Sequence, residues 1–235
     1  MIGSVKGVPD MLKHSRLITA TLMLAPLAFT VIALFFLPDE IPAHYNLYGE
    51  VDRWGSKYET LILPIFVIIF GLGMSAVAHV ASHGAGANES TAKAIVCANI
   101  AALAIFNVME LYFLVNGILV AAGRDGLRVD ISNVMCIAMG VAFIPTGLCM
   151  PKLKRNAVSG VRTKWSMMND EAWAASQRFG RGAFIAAGVT DIAIGIFVPG
   201  FYSILAGLGV LLLAGLAAAV YSRRAYERTQ PPSGK

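Results

Sequence analysis

Six long apolar stretches alternate with short polar ones along the 235 residues: Leu17–Leu37, Leu61–Ala81, Ala92–Ala122, Ser132–Met150, Gly182–Pro199 and Phe201–Tyr221. At 1.5 Å per residue each is long enough to cross about 30 Å of hydrocarbon, and in lipid a helix satisfies its own backbone polar groups. The pattern therefore predicts an all-α integral membrane protein, a bundle of six transmembrane helices. The first stretch is too long for the apolar region of a cleavable signal and has no small-residue cleavage site behind it, so it reads as the first anchor. Pro26, Pro64 and Pro145 fall within or near spans and are expected to start or kink helices, leaving carbonyls for neighbours to satisfy. Gly71, Ser75, Gly207, Ala214, Gly215 and Ala218 recur at offsets that suit close helix packing.

The connecting segments set an orientation. Counted alternately, one side carries Lys6, Lys13, Arg16, Lys93, Lys152, Lys154, Arg155, Arg162, Lys164, Arg178, Arg181, Arg223, Arg224, Arg228 and Lys235, and the other only Arg53, Lys57, Arg124 and Arg128. By the positive-inside rule both termini and the long 151–181 segment face the cytoplasm. The expected organisation is a four-span region over 1–150 with an outer loop at 38–60, then a cytoplasmic loop with an interfacial helix over 151–181. A two-span hairpin over 182–224 and a flexible tail over 225–235 complete it.

Composition agrees: 57% of residues are hydrophobic and 14% charged, and the net charge of +5 follows from the distribution just given, which removes the main support for nucleic-acid binding. Cys97, Cys136 and Cys149 lie in apolar segments and read as small buried side chains rather than disulfides or ligands. His14, His44, His79 and His83 form no H-E-x-x-H motif, and there is no nucleophile elbow or phosphate loop, so catalysis and a cofactor are not expected.

Polar chemistry concentrates in three places. The outer loop, Pro38 to Lys57, packs Asp39, Glu40, His44, Glu50, Asp52, Arg53 and Lys57 among Tyr45, Tyr48 and Trp54, whose rings suit the headgroup layer. That mixture suits recognition of a peptide or retention of a cation; an aromatic belt with solvated charges is the plainer reading, and a His44–carboxylate metal site the weaker one. Within the spans, Asn99, Asn107 and Glu110 share one arc of the third helix and Asp191 sits in the middle of the fifth. Acids at such depth mark ion or proton paths, or lock helices together. On the inner side, Asn169-Asp170-Glu171 predicts a helix start, and Trp173, Ser176, Arg178 and Arg181 an aromatic and basic surface for headgroups or a cytosolic partner.

Two motifs in these segments carry a resemblance. Leu37-Pro38, Ile41-Pro42, His44, Asn46, Gly49, Asp52, Gly55 and Lys57 resemble the "LP..IP.H.N..G..D..G.K" signature of a membrane domain that commonly accompanies SdpI-type immunity proteins. Asn156, Gly160, Arg162, Thr163, Trp165, Trp173 and Arg178 are similar to the same family's inner-loop pattern. Ser159 and Gln177 depart from it, standing where many relatives carry an apolar residue and a histidine.

The resemblance implies a multispan protein of the bacterial inner membrane that protects against a secreted toxic peptide and, in some relatives, holds a transcriptional repressor at the membrane. On this chain it implies ligand contact at His44, Asn46, Gly49, Asp52 and Lys57, and partner contact at the Asn156 to Arg178 motif. The runner-up is a proton- or cation-coupled transporter working through Glu110 and Asp191, with Asn107 beside them.

Overall fold

The computed structural model describes residues 8–46, 50–83, 89–156 and 159–230. Its six long helices are α1 (Val8–Ala33), α2 (Ile62–His83), α3 (Glu89–Ala121), α4 (Ile131–Cys149), α5 (Asp170–Phe197) and α6 (Phe201–Glu227). All six are long and apolar enough to span a bilayer, which makes the chain a multi-pass membrane protein. The all-α expectation is corrected at one point. Strands β1 (Glu40–Tyr45) and β2 (Val51–Ser56) pair antiparallel between α1 and α2.

The helices form two groups, α1–α2–α3 and α4–α5–α6, joined chiefly where α3 meets α4. The α4–α5 seam is the closest. A Cβ on Gly140 would lie 2.5 Å from the Gly188 carbonyl oxygen and one on Gly188 2.6 Å from that of Gly140, while Gly147 and Gly195 meet opposing backbone one heptad away on either side. Of the small residues singled out for packing, Gly71 abuts Met23 and Gly207 abuts Cys136, but Gly215 has nothing within 4 Å of a Cβ and faces outward.

Hydrogen bonds between connections define the two ends of the bundle. At one end Asn133 of α4 donates to the carbonyls of Gly195 (2.8 Å) and Val198 (2.6 Å) and accepts from the Gly200 N–H (2.9 Å). This staples the tight α5–α6 turn, where Gly200 adopts φ +57°. At the other end Asn169 caps α5 by accepting from the Ala172 N–H (2.7 Å) and donates to Thr229 beyond α6 (2.9 Å). No separate interfacial helix precedes the fifth span: α5 runs unbroken from Asp170 to Phe197, about 42 Å, and so projects beyond the hydrocarbon. The tail begins later than expected, α6 continuing to Glu227, and 231–235 lie outside the described residues. Cys97 is exposed on α3, not buried; Cys136 is buried as expected.

Candidate functional site

The β1–β2 hairpin is built from a short run with an apolar face. Ile41 and Pro42 are buried, Ile41 in a cluster with Ala33 and Leu37 below it and Leu114 of α3. Tyr45, expected in the headgroup belt, instead turns inward. It lies near-parallel to Phe113 at 6.4 Å and its hydroxyl accepts a hydrogen bond from Asn116 of α3 (2.8 Å). Asn116 also accepts from the Leu127 N–H (2.7 Å), so one side chain ties hairpin, α3 and the α3–α4 connection together. Burial pushes the Tyr45 phenol above its ordinary pKa, partly offset by the Asn116 bond. Trp54 stays exposed; Tyr48 and Gly49 lie outside the described residues.

The hairpin's charges pair across its strands and base. His44 Nδ1 lies 2.6 Å from Asp52 Oδ1, with both side chains largely open to solvent. Arg53 forks onto both Glu59 oxygens (3.2 and 2.8 Å), a bond that holds its guanidinium above the usual pKa. Lys57 reaches Asp39 (2.9 Å), and its backbone N–H donates to the Asp39 carbonyl (3.0 Å), closing the base. Asn46 donates to the Glu50 carboxylate (2.9 Å) and accepts from the Glu50 N–H (3.0 Å). Gly55 is required by space: a Cβ there would sit 2.2 Å from Glu59 Oε1 and 2.8 Å from the Ala43 methyl. Of the predicted outer residues, His44 and Asp52 present an exposed acid–base pair, while Asn46 and Lys57 shape the hairpin. Metal ligation by His44 finds no cluster of three His, Cys, Asp or Glu among the described residues.

The intramembrane set does not converge. Asn99 donates to α2, at the Gly71 carbonyl (3.3 Å) and Ser75 hydroxyl (3.4 Å). Asn107 donates to Leu22 of α1 and to Leu103, 2.8 Å each, and Glu110 is buried against the Thr30 hydroxyl of α1. Asp191 belongs to the other helix group, fully buried near Gly207 of α6. Neither of its carboxyl oxygens has a hydrogen-bond partner among the described residues.

The inner motif is mostly internal scaffold. Asn156 is buried, its amide donating to the carbonyls of Lys154 (2.9 Å) and Ser159 (3.2 Å) while its oxygen accepts from the Ser159 N–H (2.9 Å). Gly160 takes φ +103°, and a Cβ there would meet Gln177 Oε1 at 2.4 Å. Gln177 accepts from the Val161 N–H (3.0 Å) and donates to its carbonyl (3.2 Å). Thr163 meets Ser222 of α6 (2.6 Å), and the buried Trp173 donates to the Leu153 carbonyl (2.7 Å). Ser176 is buried too, so the basic surface predicted there is carried by Arg178 and Arg181 alone. Trp165 is half-buried with the Lys164 ammonium 4.8 Å and the Arg223 guanidinium 5.9 Å from its ring, and Arg162 is exposed. A cavity of about 440 Å³ opens between α5 and α6 beside Glu171, Arg178 and Arg228.

Asn116, Asn133 and Thr30 are not among the residues that the sequence marks out. Asn133 stood in an apolar stretch as a signal of its own; Asn116 and Thr30 acquire meaning only from the partners the fold supplies.

Residues 21–68, spanning the second half of α1, the hairpin and the start of α2, match a domain of unknown function, DUF1648. Residues 152–222, spanning the inner loop, α5 and most of α6, match the SdpI/YfhL protein family. The chain is 21% identical over 199 residues to the immunity protein SdpI of Bacillus subtilis (strain 168), covering 85% of this chain and 89% of that protein. No solved structure matches significantly. The inner motif, α5 and most of α6 thus lie within the match to the SdpI/YfhL protein family, and the similarity to an immunity protein runs along most of both chains.

Proposed function

We propose that the protein is an immunity-type protein of a bacterial inner membrane, giving resistance to a secreted toxic peptide met at the hairpin end. The observation that carries this is the similarity to an immunity protein along 85% of the chain, hairpin included. The hairpin supports it physically. Its apolar face and Tyr45 anchor it to α3, so His44, Asp52 and Trp54 are presented on a fixed surface rather than a loose loop. A preorganised surface loses less entropy when it captures a flexible peptide.

The opposite end carries the excess of basic residues that marks the cytoplasmic side. There the 440 Å³ cavity flanked by Arg178 and Arg228 would receive a cytosolic regulator, a transcriptional repressor in this reading. The test is survival of a sensitive host, with and without the protein, against a panel of secreted membrane-active peptides. Protection is expected; no protection from any peptide overturns the reading.

One observation favours a second reading, coupled transport of a proton or cation: the two oxygens of buried Asp191 find no partner among the described residues, a costly arrangement unless the group has a task. Liposomes carrying the parent protein should then show flux that Glu110→Gln with Asp191→Asn abolishes, and absence of flux in the parent removes this reading.

A further inference from the structure

The inner loop roofs a second cavity, of about 210 Å³, whose upper rim is Arg162 and Thr163 and whose lower wall is Phe184 of α5 with Gly215, Ala218 and Ala219 of α6. Its depth relative to the bilayer follows from helix length. Counting about 20 residues for 30 Å of hydrocarbon from Phe201 reaches Val220 and Tyr221. Thr163 bonds Ser222, so the loop lies at that boundary, and Gly215 lies about 9 Å deeper, among acyl chains.

The cavity thus has two chemistries in the order in which a phospholipid has them. Beneath is an apolar wall, Phe184 on one side and small residues on the other, open because a Cβ on Gly215 would meet nothing within 4 Å. Above is the exposed Arg162, whose guanidinium forms no ion pair among the described residues. Lys164 and Arg223 flank Trp165 at the same level, an interfacial ring between two cations.

We infer that this cavity is a binding site for an anionic phospholipid of the adjoining leaflet, its phosphate on Arg162 and the upper part of one acyl chain along Gly215 and Ala218. Charge complementarity selects a lipid with net negative charge over a zwitterionic one, and the planar guanidinium suits phosphate oxygens. The occupant differs from the peptide proposed at the hairpin end and does not depend on it.

The test uses the full chain in phosphatidylcholine nanodiscs with or without added phosphatidylglycerol, counting retained lipid by native mass spectrometry after release from the disc. The parent should keep phosphatidylglycerol in preference to phosphatidylcholine. Arg162→Ala should cut that preference about fivefold, the worth of one basic residue at an anionic surface, and Arg162→Lys should keep most of it. Gly215→Leu, which fills open space, should lower retention of both lipids. Unchanged melting temperatures keep these results from being read as misfolding. Equal retention of the two lipids by the parent, or an undiminished preference in Arg162→Ala, overturns the site. So does an Arg162→Ala effect confined to capture of a soluble acidic peptide, which would assign the face to a protein.

Discussion

Asn107 of α3 donates a 2.8 Å hydrogen bond to the carbonyl of Leu22 in α1, the carbonyl that stands four residues before Pro26. A proline has no N–H to return to that position, so the side chain from the neighbouring helix supplies the missing donor. Asn107→Ala should therefore cost about 1 kcal/mol. In a Pro26→Ala background, where the helix can close its own bond, the cost should shrink toward zero. A double-mutant cycle on thermal unfolding in detergent checks this, and strict additivity would contradict it.

Asn116→Ala should loosen the hairpin without melting the bundle. It removes the donor to Tyr45 and the acceptor for Leu127 together, a loss of about 1–2 kcal/mol. Hydrogen exchange should quicken at 40–45 and 51–56 while the middle of α3 stays protected. Unchanged exchange in the strands would mean that the cluster of Ile41, Leu37 and Leu114 holds the hairpin alone.

Gly160→Ala places a methyl where φ is +103° and Gln177 Oε1 stands 2.4 Å away. Gln177→Leu leaves the Val161 N–H and carbonyl without their partners. Each should cost at least about 1 kcal/mol and speed tryptic cleavage at Lys154, Arg155, Arg162 and Lys164. Equal cleavage rates in parent and variants would contradict this account of the loop.

At the α4–α5 seam, Gly188→Val should abolish recovery of folded protein, since its Cβ would lie 2.6 Å from the Gly140 backbone oxygen. Gly73→Ala, where a Cβ meets nothing within 4 Å, should match the parent in yield and in elution by size-exclusion chromatography.

These relationships differ in how far the sequence reveals them. Six spans were legible because lipid demands long apolar helices, and the Asn169 cap because its acceptor and the acids behind it form a local signal. Pro26 announced a freed carbonyl, but only the fold says that Asn107 meets it. The hairpin reads as a loop in the sequence because its strands are six residues each and its dense charges pair across strands, hiding the alternation. In a helix apolar all round, periodicity does not choose a face, so the sequence alone does not reveal that Cys97 is exposed or that Gly215 makes no helix contact. The glycines at 140, 147, 188 and 195 repeat every seven residues, a spacing that an eye set for four passes over.

The central claim, that the hairpin end receives the peptide, rests most directly on His44 and its 2.6 Å contact with Asp52. Both side chains are exposed and neither anchors the hairpin to the helices, so His44→Ala and Asp52→Ala should leave folding and membrane abundance unchanged. The measurement is survival of a sensitive host producing the parent or either variant at matched membrane levels, against the peptide from which the parent protects. The account predicts that protection falls at least about tenfold in both variants, as expected when a polar recognition pair loses a member worth about 1.4 kcal/mol. Undiminished protection in both would contradict it.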